Sequence, residues 1–341
     1  MTHSIPIHQA VGRVLAHDVT RIVPGLNKGP AFKKGHIIQE QDIETLLDMG
    51  KAHIYVLELA DDQIHEDAAA QRIAAAAAGA GVKLSMPSEG RVNLIAEYSG
   101  LLKVDVAGLN RLNAIQNVVF ATLHGNHRVD ADQSVAGTRV IPLVVAEQQV
   151  VEAETVCHTN PPLIEVRPFQ SLRVGMVTTG SEVFQGRIKD QFGPVVEKKF
   201  ATLGSQIVRQ IYVSDDVHNT VEAIQTLMGE GVQMVVLTGG MSVDPDDRTP
   251  AAIRAAGVEV VSYGAPTFPG AMFMLAYLGD VPVLGLPGCV MYHRTSIFDL
   301  VVPRLLTGER LTRDDIIGLG HGGFCAGCAE CRYPLCGFGK V

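Results

Sequence analysis

The sequence predicts an α/β protein. Its main part is a three-layer domain with a mostly parallel sheet, preceded by a mixed α+β N-terminal region. Three observations carry this. From Leu172 onward, short apolar runs alternate with helical stretches, the pattern of strands covered on both faces by crossover helices. Several of those runs end in glycine, as strand-to-helix turns do when backbone must pass close to something. The chain has 341 residues, 47% of them apolar, enough for two or three units with cores of their own.

Residues 1–160 mix short strands and helices, with no internal repeat. The Ala-rich stretch 69–81 reads as a helix stopped by Gly79 and Gly81. An amphipathic helix is expected over 146–157. "TNPP" at 159–162 supplies a breaker, and "IEVRP" at 164–168 reads as a connector. The α/β domain, 171–308, then follows in order. It opens with the strand "LRVGMVTTG", a helix over 195–203, the strand "QIVRQIYV" and the helix "DVHNTVEAIQTLMGEG". Next come the strand "VQMVVLTGG", the helix "RTPAAIRAAG" and the strands "VEVVSYG" and "VPVLGLPG". One long helix, "VMYHRTSIFDLVVPRLL", closes the run. A Cys-rich tail occupies 309–341.

The formal net charge of -8 and the lack of any basic block argue against a nucleic-acid partner. The opening residues are interrupted by His and Asp, unlike a signal peptide. No uncharged apolar run is long enough to span a bilayer. A soluble cytoplasmic protein without membrane or nucleic-acid partners is expected.

Ligands of such sheets bind at the C-terminal strand ends. Three strand ends are suggestive: "TTGSE" at 178–182, "TGGMSVDPDD" at 238–247 and "LPG" at 286–288. Gly180, Gly239, Gly240 and Gly288 let backbone N–H groups approach a phosphate or a polar ring. Asp244, Asp246 and Asp247 crowd one turn before a helix. Capping needs one of them; three suit Mg²⁺ with a phosphorylated ligand, and Asp190 is placed to join from the neighbouring strand end. No phosphate-binding P-loop and no dinucleotide fingerprint occurs. His124 and His127 in "LHGNH" read as a surface turn. His293 reads as a residue inside the last helix, and Cys289, at the pocket edge, as a buried small residue or a ligand-facing thiol.

At these loops the chain resembles the molybdopterin-binding domain shared by molybdopterin molybdotransferases and adenylyltransferases. The family's T-G-D-E and G-x-I-x-D-S-N appear as "TGSEVFQGRIKDQF" at 179–192. Its G-G-x-S-x-G-x-x-D appears as "GGMSVDPDD" at 239–247, its P-G-K-P as "PGAM" at 269–272, and its L-P-G-N-P as "LPGCV" at 286–290. The resemblance implies Asp190 and Asp247 as acids serving Mg²⁺ and catalysis. It implies Thr179, Gly180, Ser181, Glu182, Gly239, Gly240, Ser242, Asp244, Pro269, Gly270, Pro287 and Gly288 as the ligand cradle. Four positions depart: Ser181, Phe192, Ala271 and Cys289 replace Asp, Asn, Lys and Asn. The lost Lys removes a point charge useful on phosphate or molybdate. Pieces of the N-terminal region, 10–20 and 31–56, also resemble molybdotransferases, but their S-A-M-D-G-Y-A stretch is absent.

The resemblance implies molybdopterin or its nucleotide form as ligand, with Mg²⁺. It leaves open a transferase of molybdenum cofactor biosynthesis or a non-catalytic carrier or sensor. A homo-oligomer is expected, with a molybdoenzyme or another cofactor-pathway protein as partner. "DPDDRTP" also resembles the competence/damage-inducible protein family, which implies nucleotide-pyrophosphate hydrolysis as a further alternative.

The tail carries Cys325, Cys328, Cys331 and Cys336 within "CAGCAECRYPLC". In a reducing compartment such clusters bind metal or do redox work more often than they form disulfides. Three thiols in seven residues suit a [4Fe–4S] cluster; Zn²⁺ and free, exchanging thiols stay open. Gly-rich flanks point to a tail that is mobile without metal.

Overall fold

The computed structural model describes residues 2–21, 29–57, 60, 62–158 and 162–340. Most of the "TNPP" breaker, 159–161, lies outside them. The chain divides into two compact units, one built mainly from the first 166 residues and one mainly from Arg167 onward.

In the first unit, Thr2–Pro6 pairs antiparallel with His53–Leu57. Ile7, Leu15, Ile38, Leu46 and Ile54 fill a small core between them. A second core lies under a four-stranded antiparallel sheet of Val82–Leu84, Arg91–Ala96, Ser134–Val140 and Val118–Thr122. Helices Glu66–Ala77 and Glu147–Cys157 share that core. The first is the Ala-rich helix; it starts earlier than its alanines because Glu66 and Asp67 fill its first turn. The segment expected as a connector is a strand, Ile164–Pro168. Its alternating burial shows why: Ile164 and Val166 face a core.

The second unit is three-layered. Its strands are β1 (Arg173–Thr179), β2 (Gln206–Val213), β3 (Met234–Thr238), β4 (Glu259–Tyr263), β5 (Met274–Leu278) and β6 (Val281–Leu286). They form one sheet in the order β2-β1-β3-β6-β5-β4. β2, β1, β3 and β6 are parallel, whereas β5 runs antiparallel to both β6 and β4. Five strands therefore share one direction. β5 does not stand out in the sequence, because the run from Phe273 into β6 is continuously apolar and only Gly279-Asp280 marks the hairpin turn.

The helices are α1 (Ser181–Phe184), α2 (Gly193–Thr202), α3 (Val217–Gly229), α4 (Thr249–Ala255), α5 (Cys289–Tyr292), α6 (Ile297–Leu305) and α7 (Arg313–Gly318). Alternate strand residues go to opposite layers. Val174, Met176, Val236 and Leu284 meet Phe200 of α2 and Phe298 of α6. Val177, Val235, Leu237 and Val283 meet Ile224 of α3 and Ile253 of α4.

The long helix expected over 290–306 is broken. His293 is extended (φ -102°, ψ 136°). Ser296 then restarts the helix through a capping box with Asp299. The tail is not loose. Phe338 is buried in the same core as Phe298, and the Tyr333 hydroxyl donates to the Asp299 carbonyl at 3.0 Å. An apolar anchor at Phe338 outweighs the freedom that the glycines confer.

Candidate ligand cavity at the strand ends

The ends of β1 and β3 are stapled together by hydroxyls. Thr178 Oγ1 lies 3.0 Å from Thr238 Oγ1. Thr179 Oγ1 lies 3.0 Å from Thr249 Oγ1, and the Thr249 hydroxyl donates to the Gly239 carbonyl at 2.9 Å. All four threonines are buried. They fix where the Gly239-Gly240 turn sits. Both glycines have positive φ, 87° and 54°, and a side chain at Gly239 would collide with the Thr179 carbonyl. Thr179 is thus a brace for the loop.

Beyond that turn is a cavity of about 650 Å³, within the usual range for small-molecule sites. Its walls include Gly239, Gly240, Ser242 and Asp247 after β3, Pro269 and Gly270 before β5, and Pro287 and Gly288 after β6. Three loops separate in sequence therefore meet at one place. Phe192, Met241, Phe268, Met272 and Tyr292 add an apolar surround, and His293 and Cys289 complete it. Burial pushes the Cys289 thiol up, against the backbone N–H groups of Cys289 and Val290; at neutral pH it presents neutral sulfur. No Lys or Arg is among the lining residues.

The acids separate into two roles. Asp247 lines the cavity, and its Oδ2 accepts the Asp244 backbone N–H at 3.0 Å. Asp190 does not line it. Its Oδ1 accepts the N–H groups of Phe192 and Gly193 at 2.8 and 3.0 Å. Its Oδ2 accepts Gln210 Nε2 at 2.6 Å and the more distant Tyr212 hydroxyl at 3.5 Å. Both oxygens thereby accept hydrogen bonds at the start of α2.

Thr179, Gly180, Ser181, Glu182 and Asp244 also stand outside the lining. Gly180 (φ 140°) turns the chain into α1, and the Ser181 N–H donates to Asp215 at 2.8 Å. Phe268, Met241 and Tyr292 are lining residues that motif reading misses, because large apolar side chains look like core. His293 is missed because the capping box that starts α6 at Ser296 is hidden inside an apolar run.

The four tail cysteines are all free thiols. Cys325 and Cys336 pack against the apolar core, whereas Cys328 and Cys331 are exposed. Cys331 Sγ is 3.3 Å from Thr295 Oγ1. That hydrogen bond and the Tyr333 N–H hold its thiol below the usual range. Among the described residues, no group of three or more His, Cys, Asp or Glu side chains is arranged to hold a metal ion. Among the described residues, no helix is long and apolar enough to cross a membrane.

Residues 175–307 match the model of a family described as a probable molybdopterin binding domain. Residues 4–58 match a domain of unknown function. A CinA-like protein of Mycobacterium avium (strain 104) is 33% identical over 92 residues, 27% of this chain and 21% of that protein. The chain thus spans about a fifth of the length of the curated relatives it matches. Similar solved structures include the molybdopterin biosynthesis enzyme MoaB from Thermus thermophilus, 20% identical, covering 40% of this chain and 98% of that one, TM-score 0.33. The tungsten cofactor synthesizing protein MoaB from Pyrococcus furiosus is 21% identical, covering 41% of this chain and 98% of that one, TM-score 0.35.

Proposed function

We propose that the second unit binds molybdopterin or its adenylylated form in the strand-end cavity, and that the protein serves molybdenum cofactor biosynthesis by handling this ligand. One observation carries the reading. The three loops that match the molybdopterin-binding family converge on a single cavity of about 650 Å³. Its two halves differ in chemistry. The glycine turn at Gly239-Gly240 offers backbone to a phosphate, while Phe192, Phe268 and Met272 offer apolar surface to a ring.

Two forms of this reading remain, a Mg²⁺-dependent transferase and a carrier or sensor. The donor set favours the carrier. Asp247 is the one carboxylate at the wall, the wall lacks a cation, and the Cys289 sulfur is neutral. In the transferase form, Asp247 would hold Mg²⁺ against the ligand phosphate. A second reading is nucleotide-pyrophosphate hydrolysis. It is supported by the CinA-like relatives and by the "DDRT" loop, whose Asp247 is on the cavity wall.

The test is to incubate the full chain with molybdopterin, Mg²⁺ and molybdate, with and without ATP, and to identify the products. A parallel incubation uses ADP-ribose. Stoichiometric binding without turnover supports the carrier. Turnover that Asp247→Ala abolishes, with binding kept, supports the transferase. ADP-ribose cleavage supports the second reading. No binding of any of these ligands would sink all three.

A further inference from the structure

The first unit carries a second concave surface, on the outer face of its four-stranded sheet. The inner face is apolar: Val92, Leu94, Val118, Phe120 and Val140 are buried beneath the helices. The outer face is left open, with a depression of about 420 Å³. Arg91, Asn93, Thr122, Ser134, Gly137 and Arg139 line it, and no Asp or Glu does.

Two features set this face apart from an ordinary solvated one. First, Arg91 and Arg139 are direct cross-strand partners. Like charges directly opposite one another destabilise a strand pair. Neither guanidinium has an ion-pair partner among the described residues; Arg91 donates through Nε to Asn93 Oδ1 at 2.9 Å. Glu66, the acid whose carboxyl feels Arg139, is buried and forms no ion pair with it among the described residues. On a chain of net charge -8, an unneutralised arginine pair runs against the general balance. Second, the backbone beside the pair is shaped. Gly137 stands in register between Asn93 and Ala121, so the middle of the face has no side chain and forms a trough. A register shift between Ser134 and Ala136 bends the far end, as bulges do where a strand must re-aim its side chains.

We propose that this trough is an anion site, in which Arg91 and Arg139 together grip the phosphate of a small phosphorylated ligand. Paired planar guanidiniums match phosphate oxygens bidentately. Asn93, Thr122 and Ser134 supply neutral hydrogen-bonding groups along the trough. Exposed Val119 and Leu123 give an apolar flank for the rest of the ligand. The site is independent of the strand-end cavity in the other unit.

The experiment is calorimetric titration of the full chain, in a chloride buffer free of phosphate, with inorganic phosphate, pyrophosphate and AMP in separate arms. Binding of AMP more tightly than inorganic phosphate identifies a phosphorylated organic ligand; equal binding identifies the free anion. Arg91→Gln and Arg139→Gln are each expected to weaken binding roughly tenfold or more. Each should also raise the unfolding temperature of the ligand-free protein, because the like-charge pair is gone. That opposite movement separates a binding role from a structural one. The proposal is overturned if no arm shows heat at millimolar ligand. It is equally overturned if both variants bind as the parent does, or if they lower the ligand-free stability while binding is unchanged.

Discussion

The carbonyl of Phe268 accepts the backbone N–H of Cys325 at 2.8 Å. The exchange is mutual along the segment, since the Phe268 N–H donates to the Gly323 carbonyl at 2.7 Å and the rings of Phe268 and Phe324 lie 6.2 Å apart. Phe268 lines the strand-end cavity. A second tail residue, Cys331, meets Thr295 in the break between α5 and α6, two residues from cavity-lining His293. The cysteine segment therefore holds two walls of the cavity from outside.

If the tail is part of the core, removing its anchor must cost what a core deletion costs. Phe338 is 3% exposed and packs with Phe298 and Leu300. Phe338→Ala is expected to destabilise by about 3–5 kcal/mol, read from the denaturant midpoint. A loss under about 0.5 kcal/mol, as for an exposed residue, would mean that the tail is a loose appendage.

The two acids should part company on substitution. Asp190 anchors two N–H groups at the start of α2, so Asp190→Ala should lower stability by about 1 kcal/mol, the usual size of a lost cap. Asp247→Ala should leave the melting temperature nearly unchanged and alter pterin binding or turnover instead. Differential scanning calorimetry and ligand titration on the same two variants decide it. The assignment fails if Asp247→Ala is the more destabilising change and binding follows Asp190.

How far the sequence reached depends on what kind of residue did the work. Strands β1, β3 and β6 were legible because each is a largely apolar run closed by a turn, and the loops after β3 and β6 were legible because their glycines are local signals; the loop after β1, read in the same way, stands outside the cavity lining. Asp190 is ambiguous in the sequence for a physical reason: an aspartate before a helix suits both a cap and a metal, and the hydrogen bonds it accepts from Phe192 and Gly193 become visible only in the fold. Phe268 and the tail were illegible because their pairing joins residues far apart in the chain. His293 was hidden because Ser296 and Asp299, which cap α6, sit inside a stretch whose apolar periodicity alone reads as one helix.

Gly239 tests the brace beneath the cavity. Its φ of 87° disfavours any side chain, and a Cβ there would run into the Thr179 carbonyl. Gly239→Ala should cost on the order of 1–3 kcal/mol for the backbone strain alone and should weaken pterin binding, because the turn must move. Thr179→Val keeps the volume but removes the hydroxyl bridge to Thr249. It should reproduce the loss of binding with a smaller loss of stability. A Gly239→Ala protein as stable as the parent would refute the strained-turn account.

His127 is 5% exposed and stacks edge-on against Tyr333 at 5.5 Å. Neither ring nitrogen has a hydrogen-bond partner among the described residues. Burial, with Lys340 and His124 nearby, pushes its pKa down to about 4 from an ordinary 6.5. The folded state therefore binds this proton more weakly than the unfolded chain does. The neutral ring's contribution is fully present above pH 6.5 and is lost as pH falls from there towards 4, by about 3 kcal/mol over that window. Unfolding free energies measured from pH 7.5 to 4.5 should fall more steeply for the parent than for His127→Phe, which keeps the ring contact with Tyr333 and has no proton to gain. Parallel pH profiles for the two proteins would show that another group governs acid sensitivity in this unit.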